Sequence, residues 1–268
     1  MKITILTDNT TRIDEYYLGE PGVSYYIEDD GRKILFDTGY SDVFVRNAEK
    51  MGIELSEVDT VVLSHGHDDH TRGLLFLPKS EKKRTLYAHP DIFLPKKFEE
   101  EEIGIPISLK KAAELFELKL SEKAVKITNR ITFLGEIPRG NDFEAKRALG
   151  EKMTENGTWE PDFLPDDSAI VYDGGEEGIT VITGCSHAGI CNIVEYAKKV
   201  CENEKINGII GGFHMMKLTS RVAKTVDYLQ KQSPKRLCPC HCTCFHARAA
   251  IHAAVPIEEV CVGDILTF

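Results

Sequence analysis

The fold class that this 268-residue sequence predicts is α+β: two β-sheets face to face with helices on their outer sides. Three observations predict it. Short β-rich runs are followed by helical ones, and that order occurs twice along the chain. Turn signals of the Asp-Gly type separate neighbouring strands, as in antiparallel hairpins. At 42% hydrophobic and 28% charged, the chain has an ordinary globular balance and the length to bury a layered core.

The elements follow in order. Lys2–Thr7 is rich in β-branched residues and reads as a strand. Val23–Ile27 and Lys33–Phe36 flank Asp29-Asp30-Gly31, a hairpin. Phe44, Ala48 and Met51 stand four and three apart, the spacing of a helix that Gly52 stops. Thr60–Leu63 is a short apolar run, the pattern of a buried strand, and it leads straight into Ser64-His65-Gly66-His67-Asp68-Asp69-His70. From about 78 to 165 the pattern loosens. Lys96–Glu102 reads as a charge run on a solvated face, Ser108 as the cap of a helix through Leu115 and Phe116, and Ile131–Leu134 as a strand. This segment is taken as an elaboration beside a site, within one domain spanning 1–268. Alternation returns at Ala169–Tyr172, turns at Asp173-Gly174-Gly175 and resumes at Ile179–Ile182. Helices near 188–200, 219–231 and 246–253 then alternate with strands near 207–211, 236–241 and 259–262.

Composition narrows the function classes. Thirty-three basic against 43 acidic residues leave a formal charge of −10, so a nucleic-acid backbone is not the expected partner. No apolar run approaches the roughly 18 residues of a membrane span, and Met1–Asp8 lacks a signal peptide's apolar region. A soluble, cytoplasmic protein is expected, with its oligomeric state open. The eight cysteines, at 185, 191, 201, 238, 240, 242, 244 and 261, then read as free thiols or metal ligands. Cys238, Cys240, Cys242 and Cys244 recur at every second position. On a strand they would line a core on one face, with His241 on the other, rather than form a zinc knuckle.

The chemistry is carried by His65, His67, Asp69 and His70, which lie within six residues directly after a buried strand. Imidazole nitrogens and a carboxylate on a rigid strand end suit a first-row divalent ion. So short a loop cannot easily aim all four at one ion. Their spacing suggests two neighbouring ions, with His65 and His67 on one and Asp69 and His70 on the other.

Ser64–His70 resembles the H-x-H-x-D-H signature of the metallo-β-lactamase superfamily, and nearly the whole chain fits that family's order. The resemblance implies a four-layer αββα sandwich with the metals at one edge of the sheets. It makes Asp37, in Phe36-Asp37-Thr38-Gly39, an aspartate that orients the metal loop from outside the ligand sphere. It makes His187, in Thr183–Gly189, the third ligand of the first ion, and His241, in Pro239–Thr243, a ligand of the second. These segments look like the branch named for 7,8-dihydropterin-6-methyl-4-(β-D-ribofuranosyl)aminobenzene-5′-phosphate synthase. Cys244 departs from the glycine expected there, and Arg72 from the glycine of many members. Where many members carry a bridging aspartate after Thr-Gly, this chain has Cys185. A thiolate can bind zinc. The preferred alternative is a small buried residue, with His187 taking the coordination. His214, after Gly211-Gly212-Phe213, reads as a contact to a substrate phosphate or leaving group, or as a histidine packed at a strand end. His89, His246 and His252 are taken as structural.

The resemblance implies two divalent metal ions, zinc foremost, with manganese or iron permitted by the same ligands. It implies a metal-dependent hydrolase acting on a small phosphorylated or anionic ester through a bridging hydroxide, which Asp69 would orient and whose proton it would accept. Substrate choice would belong to 78–165, where Arg130, Arg139 and Arg147 offer phosphate contacts. Tyr87, Phe93, Phe98, Phe116, Phe133, Phe143 and Trp159 are its aromatic residues, most of them read as core. Two other classes stand beside this one: a transferase like the synthase of that branch, and a non-catalytic metal-holding ligand sensor. The intact ligand set argues against the sensor. His67, where the oxygen-reducing di-iron branch typically has glutamate, argues against that relative.

Overall fold

The computed structural model describes residues 1–154 and 156–268. Strand β1 (Lys2–Thr7) pairs with β2 (Ser24–Asp29), which turns back into β3 (Arg32–Phe36). Asp30 and Gly31 make that turn with φ of 49° and 75°, the left-handed pair that a two-residue hairpin asks for. Helix α1 (Val43–Met51) buries Phe44 and Ala48 and closes on left-handed Gly52. Strand β4 (Thr60–Val62) runs parallel to β3, and the His-rich loop enters the single turn α2 (Asp68–Thr71). Strand β5 (Arg84–Ala88) follows, then β6 (Lys96–Phe98), β7 (Glu101–Glu102) and helix α3 (Leu109–Leu115). The Ser108 hydroxyl caps α3 by accepting from the Lys111 amide at 3.2 Å. Strands β8 (Phe116–Leu120), β9 (Val125–Lys126), β10 (Ile131–Phe133), β11 (Glu151–Met153) and β12 (Trp159–Pro161) complete the middle of the chain.

The second half is more regular. Strands β13 (Ala169–Asp173) and β14 (Ile179–Thr183) form a hairpin. Helix α4 (Ile190–Cys201), β15 (Ile206–Gly212), helix α5 (Ser220–Gln232), β16 (Arg236–Cys240) and helix α6 (Phe245–His252) follow, and β17 (Ile265–Thr267) returns to pair with β1. One sheet has the order β17-β1-β2-β3-β4-β5-β8, the other β16-β15-β14-β13-β10-β9. A small sheet, β12-β11-β6-β7, stands apart from them.

Three hydrophobic clusters define four layers, α/β/β/α. Ile5, Tyr25, Phe36 and Val62 of the first sheet meet Phe133, Ile170, Ile182 and Cys240 of the second. The outer face of the first sheet packs Leu35, Val61 and Leu86 against Phe44 and Ala48 of α1. The outer face of the second packs Val181, Ile209 and Leu237 against Ile193, Val222 and Ile251 of α4, α5 and α6. Because β3 and β4 are parallel, as are β14, β15 and β16, their C-terminal ends open on one edge of the sandwich. No helix among the described residues is long and apolar enough to cross a membrane.

Several expectations need correction. Residues 259–262 form no strand; the last strand is Ile265–Thr267. Of the charge run, Lys96 is buried while Glu99–Glu102 are exposed, because two aspartates meet its ammonium inside the protein. Only Cys238 and Cys240 of the alternating cysteines line the core between the sheets. Strand β16 stops at Cys240, so Cys242 and Cys244 leave its face. Within 78–165, β5, β8, β9 and β10 are built into the two large sheets, and only β6, β7, β11 and β12 form the small one.

Candidate metal centre

Each side chain singled out near the site leaves the end of a strand at the open edge: Asp37 after β3, the His65–His70 loop after β4, Cys185 and His187 after β14, His214 after β15, His241 after β16. Four residues there hold positive φ without being glycine: Asp37 (56°), Ser186 (57°), His214 (47°) and His241 (50°). Such conformations cost about 1–3 kcal/mol each and gather where function requires them. Gly184 has its own reason. A Cβ there would lie 2.2 Å from the Ser64 hydroxyl, so the end of β14 can approach the His loop only without a side chain.

Asp37 organises the first half. It is fully buried and accepts from the Ser64 amide, the Ser64 hydroxyl and His70 Nδ1, each at 2.7 Å. The Ser64 hydroxyl in turn accepts from His65 Nδ1 at 2.9 Å, and His241 Nδ1 donates to Asn9 Oδ1 at 2.8 Å. With Nδ1 occupied on three rings, Nε2 faces inward on each, the arrangement by which outer partners set the tautomer of metal-binding histidines.

The ligand atoms converge. Those of His65, His67 and Asp69 lie within 4.8 Å of one another, as do those of Asp69, His70, Cys185 and His241. His65, Cys185 and His187 form a third such group, and Cys185, His214 and Cys242 a fourth. Asp69 therefore belongs to both sides of the predicted division rather than to one. Cys185 Sγ sits 3.2 Å from His70 Nε2 and 3.3 Å from His241 Nε2, in the middle of the set. His187 packs its ring against those of His65 and His67 at 4.8 and 4.9 Å, and against His214 at 4.4 Å.

The chemistry of this donor set fits divalent cations. Nε2 of His65, His67 and His187 is buried with no hydrogen-bond partner, a cost of about 1–3 kcal/mol per group that a cation would remove. Burial holds His65 and His187 well below the usual histidine range and His67 down to about 4, so all three rings are neutral, the metal-binding form. Burial alone would raise Asp69, but the charges and hydrogen bonds of His70 and His241 outweigh it and keep the carboxylate ionised.

Several residues join the site that the sequence analysis did not place there. Asp166 Oδ2 accepts from the Gly66 amide at 2.9 Å, fixing the loop between His65 and His67, and its Oδ1 meets buried Lys96 at 3.0 Å. Asp167 accepts from the Ala188 amide at 2.8 Å, beside His187. Asn9 and Cys242 are the others. The one available signal was Asp166-Asp167-Ser168, two acids set directly before a buried strand. Other candidates lie elsewhere. Arg130 bonds the Tyr172 hydroxyl at the far end of β13, Arg139 bonds the Leu164 carbonyl at 2.9 Å, and His246 and His252 belong to α6. His89 caps the turn at Pro90–Phe93. Arg72 lies over the Tyr40 ring, 4.5 Å from its centroid, and Cys244 occupies the N-cap of α6.

Beside the centre opens a cavity of about 500 Å³. His187, His214, Phe143 and Phe163 line it, and Lys146, Arg147 and Lys217 bring positive charge.

Residues 18–241 match the model of the metallo-β-lactamase superfamily. An uncharacterized protein of Methanocaldococcus jannaschii is 34% identical over 248 residues, 91% of each chain. The 7,8-dihydropterin-6-methyl-4-(β-D-ribofuranosyl)-aminobenzene-5′-phosphate synthase of the same organism is 30% identical over 262 residues, 92% of this chain and 89% of its own. Among solved structures, a metal-dependent hydrolase of the β-lactamase superfamily superimposes with a TM-score of 0.86 at 28% identity, covering 100% of this chain and 99% of that one.

Proposed function

The chain belongs to the metallo-β-lactamase superfamily, and within it we propose a dinuclear metal-dependent hydrolase that cleaves a small phosphorylated or anionic ester. The observation that carries this reading is the juxtaposition of two groups of ligand atoms sharing Asp69 with a cationic cavity opening at His187 and His214. His65, His67 and His187 would hold one ion, and Asp69, His70 and His241 the other, with Cys185 between them. When bound, such ions supply Lewis acidity and lower the pKa of water at neutral pH. Zinc suits a set that includes a thiol, and manganese or iron suits its imidazoles and carboxylate.

The remaining work falls to the chain's own residues. Lys146, Arg147 and Lys217 hold the anionic end of the substrate, with Arg147 offering the two-pronged geometry that suits phosphate. Asp69 is held ionised by His70 and His241, each at 3.4 Å, and is partly open to solvent, so it orients the attacking water. His214 lines the cavity with a buried Nδ1 that has no partner, and in this reading it contacts the substrate phosphate or the departing oxygen. Asp37, Ser64 and Asn9 position the rings and touch no substrate.

One observation bears on the transferase alternative. A pocket for a pterin needs flat aromatic walls and must keep water out. Of the seven aromatic residues named above, only Phe143 lines the cavity, joined by Phe163; Tyr87, Phe116 and Phe133 are buried in the cores, Phe93 packs half-buried against one of them, and Phe98 and Trp159 are exposed. That favours hydrolysis. Slow, metal-dependent turnover of generic phosphodiesters with manganese or zinc is expected, with no need for a pterin. If phosphodiesters, phosphomonoesters and lactones all fail while a dihydropterin binds tightly in this cavity, the transferase reading replaces it.

A further inference from the structure

Cys185 and Cys242 are the one pair of cysteine sulfurs that share such a ligand cluster among the described residues. Their Sγ atoms lie within 4.8 Å of each other, and Cys242 Sγ donates to the Cys185 carbonyl at 3.6 Å. Nothing in the proposed chemistry uses Cys242. It sits two residues beyond β16, where left-handed His241 turns the chain toward the end of β14. Its sulfur accepts from the His214 amide at 3.2 Å, and His214 lines the cavity through which a small oxidant would arrive. Gly212 leaves the space: a Cβ at that position would stand 2.5 Å from Cys242 Sγ.

We propose that Cys185 and Cys242 form a reversible disulfide under a peroxide, and that metal ions guard the pair against it. Cys242 attacks the peroxide, the O–O bond breaks, and water leaves a sulfenic acid on Cys242. Cys185 sulfur then displaces that hydroxyl, which departs as a second water with the Cys185 proton. Two thiols are oxidised by two electrons in all, and the peroxide is reduced to two waters. Bond formation requires the sulfurs to close to about 2.05 Å, which takes Cys185 out of the middle of the donor set. Oxidation of the metal-free protein therefore blocks reloading. The guarding half of the proposal rests on Cys185 facing a bound ion, as in the function proposed above.

The full chain is stripped with a chelator, one portion is reloaded with zinc, and both are treated with a small excess of hydrogen peroxide. Unreduced digests are then read by mass. The stripped protein is expected to lose two of its eight thiols to a linkage between Cys185 and Cys242, and to take up less zinc until dithiothreitol restores it. The loaded protein is expected to keep all eight over the same time. Cys242→Ser should give no linkage, and after peroxide it should take up zinc to the level of its own untreated portion. The proposal is overturned if the stripped protein oxidises at other cysteines and leaves this pair unlinked, if the loaded protein links as fast, or if peroxide lowers zinc uptake by Cys242→Ser as much as by the parent. Mass and zinc content are the readouts, so the result is independent of whether any ester is cleaved.

Discussion

Replacing Lys96 by Met separates the electrostatics of the fold from the chemistry of the site. The Lys96 ammonium is buried, 2.6 Å from Asp162 and 3.0 Å from Asp166. Met keeps the stem and removes the charge. Two buried carboxylates are then left with backbone donors alone: the Leu164 amide at 2.7 Å for Asp162 and the Gly66 amide at 2.9 Å for Asp166. Breaking a buried pair in this way costs about 3–5 kcal/mol, against a total domain stability of about 5–15 kcal/mol. At roughly 2 °C per kcal/mol for a chain of this size, Tm should fall by about 6–10 °C. The sign with pH follows from Asp166. Burial alone would raise its pKa, but the charge and hydrogen bond of Lys96 outweigh it and hold it below the usual carboxylate range. In the parent that stability is present above the unfolded carboxylate pKa and is lost as pH falls. In Lys96→Met the same carboxyl is buried without its cation, so acid relieves the penalty and the gap between the proteins narrows toward pH 5. Urea denaturation at pH 7.5 and 5 measures both effects. Lys96→Met/Asp162→Asn/Asp166→Asn should recover most of the loss. A penalty under about 1 kcal/mol, or one equal at the two pH values, would refute the reasoning.

Further outcomes are expected at the metal centre. Protein purified without chelator should approach two ions per chain by elemental analysis. Asp69→Ala and His187→Ala should each lower metal content and abolish turnover with the far-ultraviolet spectrum unchanged; a His187→Ala protein that keeps both ions and full activity would mean that another residue fills its role. Asp37→Asn disturbs three buried donors at once, and chelator competition should show metal affinity lower by about 10–100-fold; an unchanged affinity would remove Asp37 from the orienting role. Burial pushes the Asp167 carboxyl up to about 7. A raised carboxyl pKa means that the folded state holds its proton between the unfolded value and about 7, so the metal-free parent loses stability as pH rises through that window. Asp167→Asn should flatten that slope in denaturation curves between pH 5 and 8, and an identical slope would place the effect elsewhere.

Legibility followed sequence distance. The strands ending before Asp37, Ser64 and Cys185 announce themselves as short apolar runs, and the four ligands His65, His67, Asp69 and His70 fall within six consecutive residues, so local pattern sufficed. Lys96 was hidden because its partners stand 66 and 70 residues away, and within its own neighbours it belongs to a stretch of exposed charge. Asn9 reaches His241 across 232 residues and has no local mark. Cys242 was misplaced for a different reason. Alternation of cysteines suggests a strand through Cys244, but β16 ends at Cys240, and His241 takes φ of 50°, which breaks the alternation one residue before Cys242.

That left-handed step also explains how two separate sheets build one cluster. Side chains of a continuing strand point alternately to its two faces, into one core or the other, and neither direction reaches the edge. A residue forced into positive φ just past the strand turns the chain across that edge. Asp37, Ser186, His214 and His241 all do this, the first from one sheet and the other three from the second. The strain is held by fixed partners: Asp37 by Ser64 and His70, Ser186 by the Gly212 carbonyl at 2.6 Å, His241 by Asn9. These bonds hold the donors close, so like neighbours are crowded together and the buried Nε2 atoms of His65, His67 and His187 are left without partners. A frame of this kind costs stability on its own and regains it by binding cations. Metal affinity and fold stability are therefore linked quantities here, and both depend on the side chains that aim the ligands.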